Sequence, residues 1–378
     1  LSAIPMGVPL EWNVFMIFCV LPRVVAHAHI GITGLPTPWP LVLFAVLAAV
    51  GGLWWHDLDL AGQPRADPAS TVASLQFMQA PAPARGRVLA VVTSTGQLGD
   101  SSRNAGYELT ELSRAYYTFV ANGYEVDIAS PRGGEPPVNI DADDIVAADH
   151  AFLNDPLARA KVAATLPLAE VDPSAYDAVY FVGGKGAMFD FPGDRQVARI
   201  VGEIYRSGGV VGAVCHGPAA LLGVKQADGT PLLRGRRVTG FTNEEELFLI
   251  ANAREVFPFL LQDGLERDGA QFVEGAPYLD NTVVDGRLVT GQNPWSTWSV
   301  AEAMVRTLGH EPLARERGGD ELAVRVLDAY RREGMDAALQ LRVQLSTADR
   351  RLLLMHALVA GMQGEYADAW RLQRLARG

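Results

Sequence analysis

The chain has 378 residues, with 43 acidic against 32 basic side chains and a formal net charge of −11. That balance excludes a partner that needs a basic face, nucleic acid first among them. A hydrophobic fraction of 49% can bury one large domain with additions, or two domains. Cysteine occurs only as Cys19 and Cys215, in unrelated surroundings, which excludes a disulfide framework.

The chain opens on Leu1, as a fragment or a processed chain would. Residues 13–21 are apolar but stop at Pro22 and Arg23. Residues 39–55, WPLVLFAVLAAVGGLWW, hold no charge and end in a Trp pair. About 17–25 apolar residues suffice to span a bilayer, and Trp favours its interface. Residues 1–56 are therefore read as a hydrophobic anchor region, with membrane association through 13–55. The rest of the protein is expected to be cytoplasmic. Arg23 alone does not set the sidedness. Residues 57–86, rich in Ala, Pro, Asp and Ser, read as a linker.

A folded domain is expected over 87–310. RVLAVVTS (87–94), YEVDIAS (124–130) and AVYFVGG (178–184) read as strands. The stretches 106–123 and 194–209 have apolar residues at helical spacing and glycine stops. Asp285-Gly286 between two strand-like runs predicts a hairpin, and 299–309 a closing helix. Strands alternating with helices predict a doubly wound, mostly parallel, flavodoxin-like α/β sheet. Ligands bind such sheets beyond the carboxyl ends of the strands. Residues 311–378 read as a helical C-terminal extension, for packing or assembly.

The chemistry concentrates at GVVGAVCHGPAALLG (209–223). The Val-rich run delivers the chain to Cys215. Pro218 suits a helix first turn, followed by good helix formers. Cys215 therefore sits on a nucleophile elbow, and a helix starting there would favour its thiolate. His216 is the adjacent candidate base, and would want a carboxylate on its other nitrogen. Glu244, Glu245 and Glu246 all follow the strand RVTGFT, and spacing does not choose among them. Glu108 and Glu111 supply a second acid, also unresolved by spacing; buried near a thiolate, either would have a raised pKa. Backbone N–H groups at Gly183, Gly184 and Gly217 could form an oxyanion hole.

The segments AVCHGPAAL, FVGGKGAMFDF, VTGFTNEEE, PFLLQDGL, VVDGRLVTGQNP and GYELTELSRAYYTFVANGYEVDIASPRGG together resemble the ThiJ/PfpI superfamily, which is type 1 glutamine amidotransferase-like. They are most similar to its heat-shock chaperone and glyoxalase III branch. The resemblance covers roughly residues 86–309. It implies a nucleophile at Cys215, a histidine at His216, a helix glutamate at Glu111 and a third acid at Glu246. It implies an oxyanion loop at Gly183-Gly184. Lys185 stands where many members carry histidine. The metal-binding histidines of some chaperone members have no match, His150 being the one nearby candidate, so no metal and no cofactor are expected.

The expected function is a cofactor-independent conversion of methylglyoxal, a 2-oxoaldehyde, to D-lactate through a cysteine hemithioacetal, a glyoxalase III or D-lactate dehydratase-like reaction. Two alternatives stay open. One is a cysteine hydrolase, peptidase or deglycase; the other is a holdase chaperone or a redox sensor that answers stress. Glutamine amidotransferase activity is not expected, because His310 and His356 lack the spacing of a later His-x-Glu. The resemblance also implies a homodimer.

Overall fold

A computed structural model describes residues 39–59, 62–101, 103–142 and 144–378. They fall into two compact units. One is Arg65–Val324; the other joins the described part of Leu1–Pro64 to Arg325–Gly378.

The larger unit is built on a seven-stranded sheet. Its strands are β1 (Gly86–Val91), β2 (Tyr124–Ser130), β3 (Leu166–Pro167), β4 (Ala178–Phe181), β5 (Val210–Val214), β6 (Thr282–Asp285) and β7 (Leu288–Gly291). Their spatial order is β6-β7-β5-β4-β1-β2-β3. Every pairing is parallel except the β6–β7 hairpin, which turns at Asp285-Gly286 as its sequence predicts. β4 and β5 are buried along their whole lengths, as befits strands covered by helices on both faces. The doubly wound, mostly parallel sheet read from the sequence is thus present.

In the smaller unit, helix α1 (Trp39–Leu58) carries Trp54, whose Nε1 donates to Gln373 at 2.9 Å. The membrane anchor expected within 13–55 needs correction. Among the described residues no helix is long and apolar enough to cross a membrane. The apolar part of α1, 39–55, is 17 residues, or roughly 26 Å at 1.5 Å each, short of a ~30 Å hydrocarbon core. His56 and Asp57 close it, and the indole of Trp54 is engaged by protein. Residues 13–21, with Cys19, lie outside the described residues.

Four helices of the larger unit position the site: α2 (Leu109–Ala121), α3 (Ala147–Asn154), α4 (Arg195–Arg206) and α5 (Asn243–Leu249). A fifth, α6 (Thr297–Thr307), packs across β5. Gly212 of β5 leaves room for it: a β-carbon there would meet the Met304 sulfur of α6.

Helix α2 is pinned by charge as well as packing. The guanidinium of Arg114 is fully buried and meets Asp149 of α3 at 3.1 Å, Asp144 at 3.3 Å and Asp320 at 3.8 Å. Breaking a buried ion pair from one side leaves uncompensated charge and costs about 3–5 kcal/mol. Arg114→Leu is expected to lower the unfolding free energy by about that much in urea titration. A loss below about 1 kcal/mol would show the cluster to be incidental.

Candidate active site

The site forms where the carboxyl ends of β4 and β5 meet the start of α2. Cys215 follows Val214, the last residue of β5, and adopts φ +57, a left-handed conformation that residues with a β-carbon rarely take. Two main-chain hydrogen bonds hold it there. The Cys215 N–H donates to Gly291 O at 2.9 Å, and the Cys215 carbonyl accepts from Phe241 N–H at 2.9 Å. The elbow turns the side chain back toward β4. Gly183 makes that possible: a β-carbon on it would lie 2.8 Å from the Cys215 β-carbon and 2.6 Å from Glu111 Oε2.

Pro218 does not open an α-helix. The run Gly217–Leu221 is a single five-residue 3-10 segment, ended at Leu222 by extended backbone and at Gly223 by φ +72. So short a segment has little macrodipole, and the thiolate preference expected from a helix end is not supplied. Cys215 is only 5% exposed, and burial together with ionised acids nearby pushes its thiol up, opposite to that expectation.

His216 Nδ1 lies 3.4 Å from Cys215 Sγ, and His216 Nε2 lies 2.5 Å from Glu246 Oε2. A proton on Nε2, donated to Glu246, leaves the Nδ1 lone pair facing the sulfur. The ring is clamped between Phe241 and Phe257, at centroid distances of 4.8 and 5.9 Å. Local capping sorts the three acids that spacing leaves equivalent. Glu244 is exposed. Glu245 closes a capping box with Thr242 at the start of α5 and accepts from Tyr278 N–H and Asn293. Glu246, buried, is the one that reaches His216.

Glu111 lies in the first turn of α2, completely buried. Its Oε2 accepts from Gly183 N–H at 2.7 Å, while Oε1 has no hydrogen-bond partner. Burial, then the charge of Glu108, push its carboxyl well above the usual range. Glu108 is itself pushed up to about 7 by burial; Asn139, donating to Oε2 at 2.6 Å, and nearby Lys185 draw it back down. Glu111 and Cys215 are thus two adjacent buried acids, and ionising either opposes ionising the other. Glu111 held protonated relieves the thiol of a negative neighbour.

The Gly183 N–H is committed to Glu111, whereas the Gly184 N–H is directed at the Cys215 sulfur. Gly184 has φ +99, and a β-carbon there would come within 2.3 Å of Gly106 O, so only glycine fits. Gly217 is packed against the Phe181 carbonyl, 2.3 Å from where a β-carbon would sit. The structure therefore brings Cys215, His216, Glu246, Glu111, Gly183 and Gly184 to one point, with Lys185 nearby on the Glu108 side. The sequence carries no signal for the Phe241–His216–Phe257 clamp. Phe257 lies in a stretch without periodicity, and only the fold brings it over the ring.

Residues 103–307 match the model of the DJ-1/PfpI family, and the chain belongs to that family. Residues 1–54 match a second model, described as a transmembrane protein of unknown function (DUF3556). Among curated proteins, the chain is 31% identical over 228 residues to the Candida albicans protein named Glyoxalase 3, covering 58% of this chain and 97% of that one. It is 33% identical over 233 residues to the Saccharomyces cerevisiae protein named glutathione-independent glyoxalase HSP31, covering 59% and 98%. Among solved structures, the Candida albicans glyoxalase III superposes with a TM-score of 0.52 at 28% identity, covering 59% of this chain and 97% of that one. The Francisella tularensis rapid encystment protein does so at 0.56 and 36%, covering 59% and 99%.

Because Glu108 pushes both Glu111 and Cys215 upward, removing its charge releases both. Glu108→Gln keeps an acceptor for Asn139. It is expected to move the pH midpoint of Cys215 alkylation by iodoacetamide to lower pH. An unchanged or higher midpoint would contradict the electrostatic coupling.

Proposed function

We propose that the protein is a glutathione-independent glyoxalase, converting 2-oxoaldehydes such as methylglyoxal to 2-hydroxy acids, D-lactate in that case, through a hemithioacetal on Cys215. The observation that carries this reading is Glu111, a fully buried carboxyl with one unpartnered oxygen beside Cys215. Moving hydrogen between two adjacent carbons needs a base that can also return the proton, and a carboxyl of raised pKa does both. A cysteine only 5% exposed suits a compact aldehyde better than a peptide. The names of the relatives point the same way.

In this reading Cys215 Sγ adds to the aldehyde carbon. The thiol proton passes to His216 Nδ1, and Glu111 gives its proton to the aldehyde oxygen. The hemithioacetal now faces a Glu111 carboxylate, which removes the proton from the same carbon. The neighbouring carbonyl oxygen takes a proton from the His216 imidazolium, giving an enediol. Glu111 returns its proton to the second carbon while the first hydroxyl loses its own to His216, leaving a thioester. Water attacks the thioester, its hydroxyl going to the acyl carbon and a proton to the sulfur. Release of the 2-hydroxy acid and transfer of the His216 proton back to Glu111 restore the starting state. No electrons enter or leave overall, because one carbon is oxidised as its neighbour is reduced. Glu246 holds the His216 tautomer and steadies its positive charge, a positioning role. The Gly184 N–H steadies negative charge at the sulfur end.

The test is D-lactate formation from methylglyoxal without glutathione, with the full chain. Cys215→Ala is expected to abolish turnover, and Glu111→Gln to lower kcat by about 10²–10⁴-fold. Turnover that survives Cys215→Ala would overturn the reading. Glu246→Gln is expected to lower kcat with little change in KM; a change confined to KM would remove it from the proton pathway.

A further inference from the structure

We propose a second binding site, for a phosphate monoester or free phosphate, at the opposite edge of the sheet from Cys215. The last turn of α4, the loop at 224–232 and the start of β7 enclose a cavity of about 210 Å³. Three cations line it: Arg206, Lys225 and Arg287. Among the described residues, no carboxylate lies within ion-pair distance of any of the three.

The acids nearest in the chain are engaged elsewhere or do not reach. Asp285 pairs with Arg236 at 3.0 Å and accepts from Arg237 N–H. Asp177 accepts from Arg87 N–H, and Asp228 is held by the Thr230 N–H and hydroxyl. Glu203, one turn back on α4, does not line the cavity. Three uncompensated positive charges around one small concavity stand out in a chain of net charge −11, where solvated cations are readily matched.

The two guanidinium groups are also placed rather than loose. Arg287 donates from Nη1 to Tyr205 O at 2.7 Å and lies over the Tyr205 ring, 4.5 Å from its centroid. Arg206 folds back along its own helix: a β-carbon on Gly202 would lie 3.1 Å from its Nη1. The remaining guanidinium donors stay free for an acceptor. Buried Val224 and Leu232 supply an apolar floor. Two guanidiniums and an ammonium match a dianion with several acceptor oxygens, which guanidinium forks bind most strongly. The volume exceeds bare phosphate and leaves room for a short carbon tail. β5 starts at Val210 beside this cavity and ends before Cys215, so the two sites are about 17 Å apart at 3.3 Å per residue. The inference does not depend on the glyoxalase reading.

The experiment is calorimetric titration of the full chain with inorganic phosphate and with glycerol 3-phosphate, at constant ionic strength set by chloride. Saturable binding of one equivalent is expected. Lys225→Gln, an exposed change that leaves the packing intact, and Arg206→Gln are each expected to weaken binding by about tenfold, since each removes one charge-assisted hydrogen bond to the anion. Turnover of methylglyoxal should stay as in the parent. Tighter binding of glycerol 3-phosphate assigns the site to a phosphorylated metabolite, and equal binding assigns it to free phosphate. No binding above the chloride control, or unchanged binding in both variants, would overturn the proposal.

Discussion

Cys215 is held at φ +57 by the Gly291 carbonyl on one side and the Phe241 N–H on the other. A non-glycine residue in that conformation costs about 1–3 kcal/mol. Two buried main-chain hydrogen bonds contribute about 0.5–1.5 kcal/mol each, so the turn is close to balanced and persists. The rest of the site follows from this one constraint. The turn aims the sulfur at β4, where Gly183 and Gly184 leave space for it. It also brings the next residue, His216, alongside the thiol instead of onto the opposite face. The same Phe241 that fixes the Cys215 carbonyl then packs its ring on the imidazole.

Burial decides the acid–base character of the site. In water a glutamate and a thiol would ionise independently, several pH units apart. Here Glu111 and Cys215 compete for ionisation in a region with little solvent, and Glu108 adds its own charge to the competition. His216, tethered to Glu246 through one nitrogen, gives the thiol proton a destination that does not require a free thiolate beforehand. In the proposed mechanism the site gains reactivity from proton transfer along this path, not from the helix end that the Pro218 run suggests.

Much of the architecture is legible in the sequence. The apolar runs read over 87–94, 178–184 and 210–214, and the Asp285-Gly286 turn, place the strands and the edge of the sheet at which chemistry collects. The choice of Glu111 over Glu108, and of Glu246 over its neighbours, is not legible from spacing; it comes from resemblance. The structure supplies a physical reason in the capping box that occupies Glu245 and the Gly183 N–H that anchors Glu111. The His216 clamp is invisible in the sequence because Phe257 meets it only through tertiary folding. The segment after Pro218 is shorter than its sequence suggests: Ala219–Leu222 have high helix propensity, yet Gly223 ends the run within one turn. The apolar stretch of α1 misleads because composition counts apolar residues, while spanning needs a longer uninterrupted apolar length.

The central claim is that carbon is bonded to Cys215 while Glu111 moves the proton. The most direct measurement is intact-mass analysis and peptide mapping of the Glu111→Gln variant after brief mixing with methylglyoxal. The account predicts an adduct of one methylglyoxal that maps to Cys215 and accumulates relative to the parent, since water can supply the aldehyde oxygen with the proton that Glu111 gives it, whereas removal of the carbon-bound proton has no base. An adduct-free Cys215 in that variant, beside a parent that turns substrate over, would contradict covalent chemistry at this sulfur.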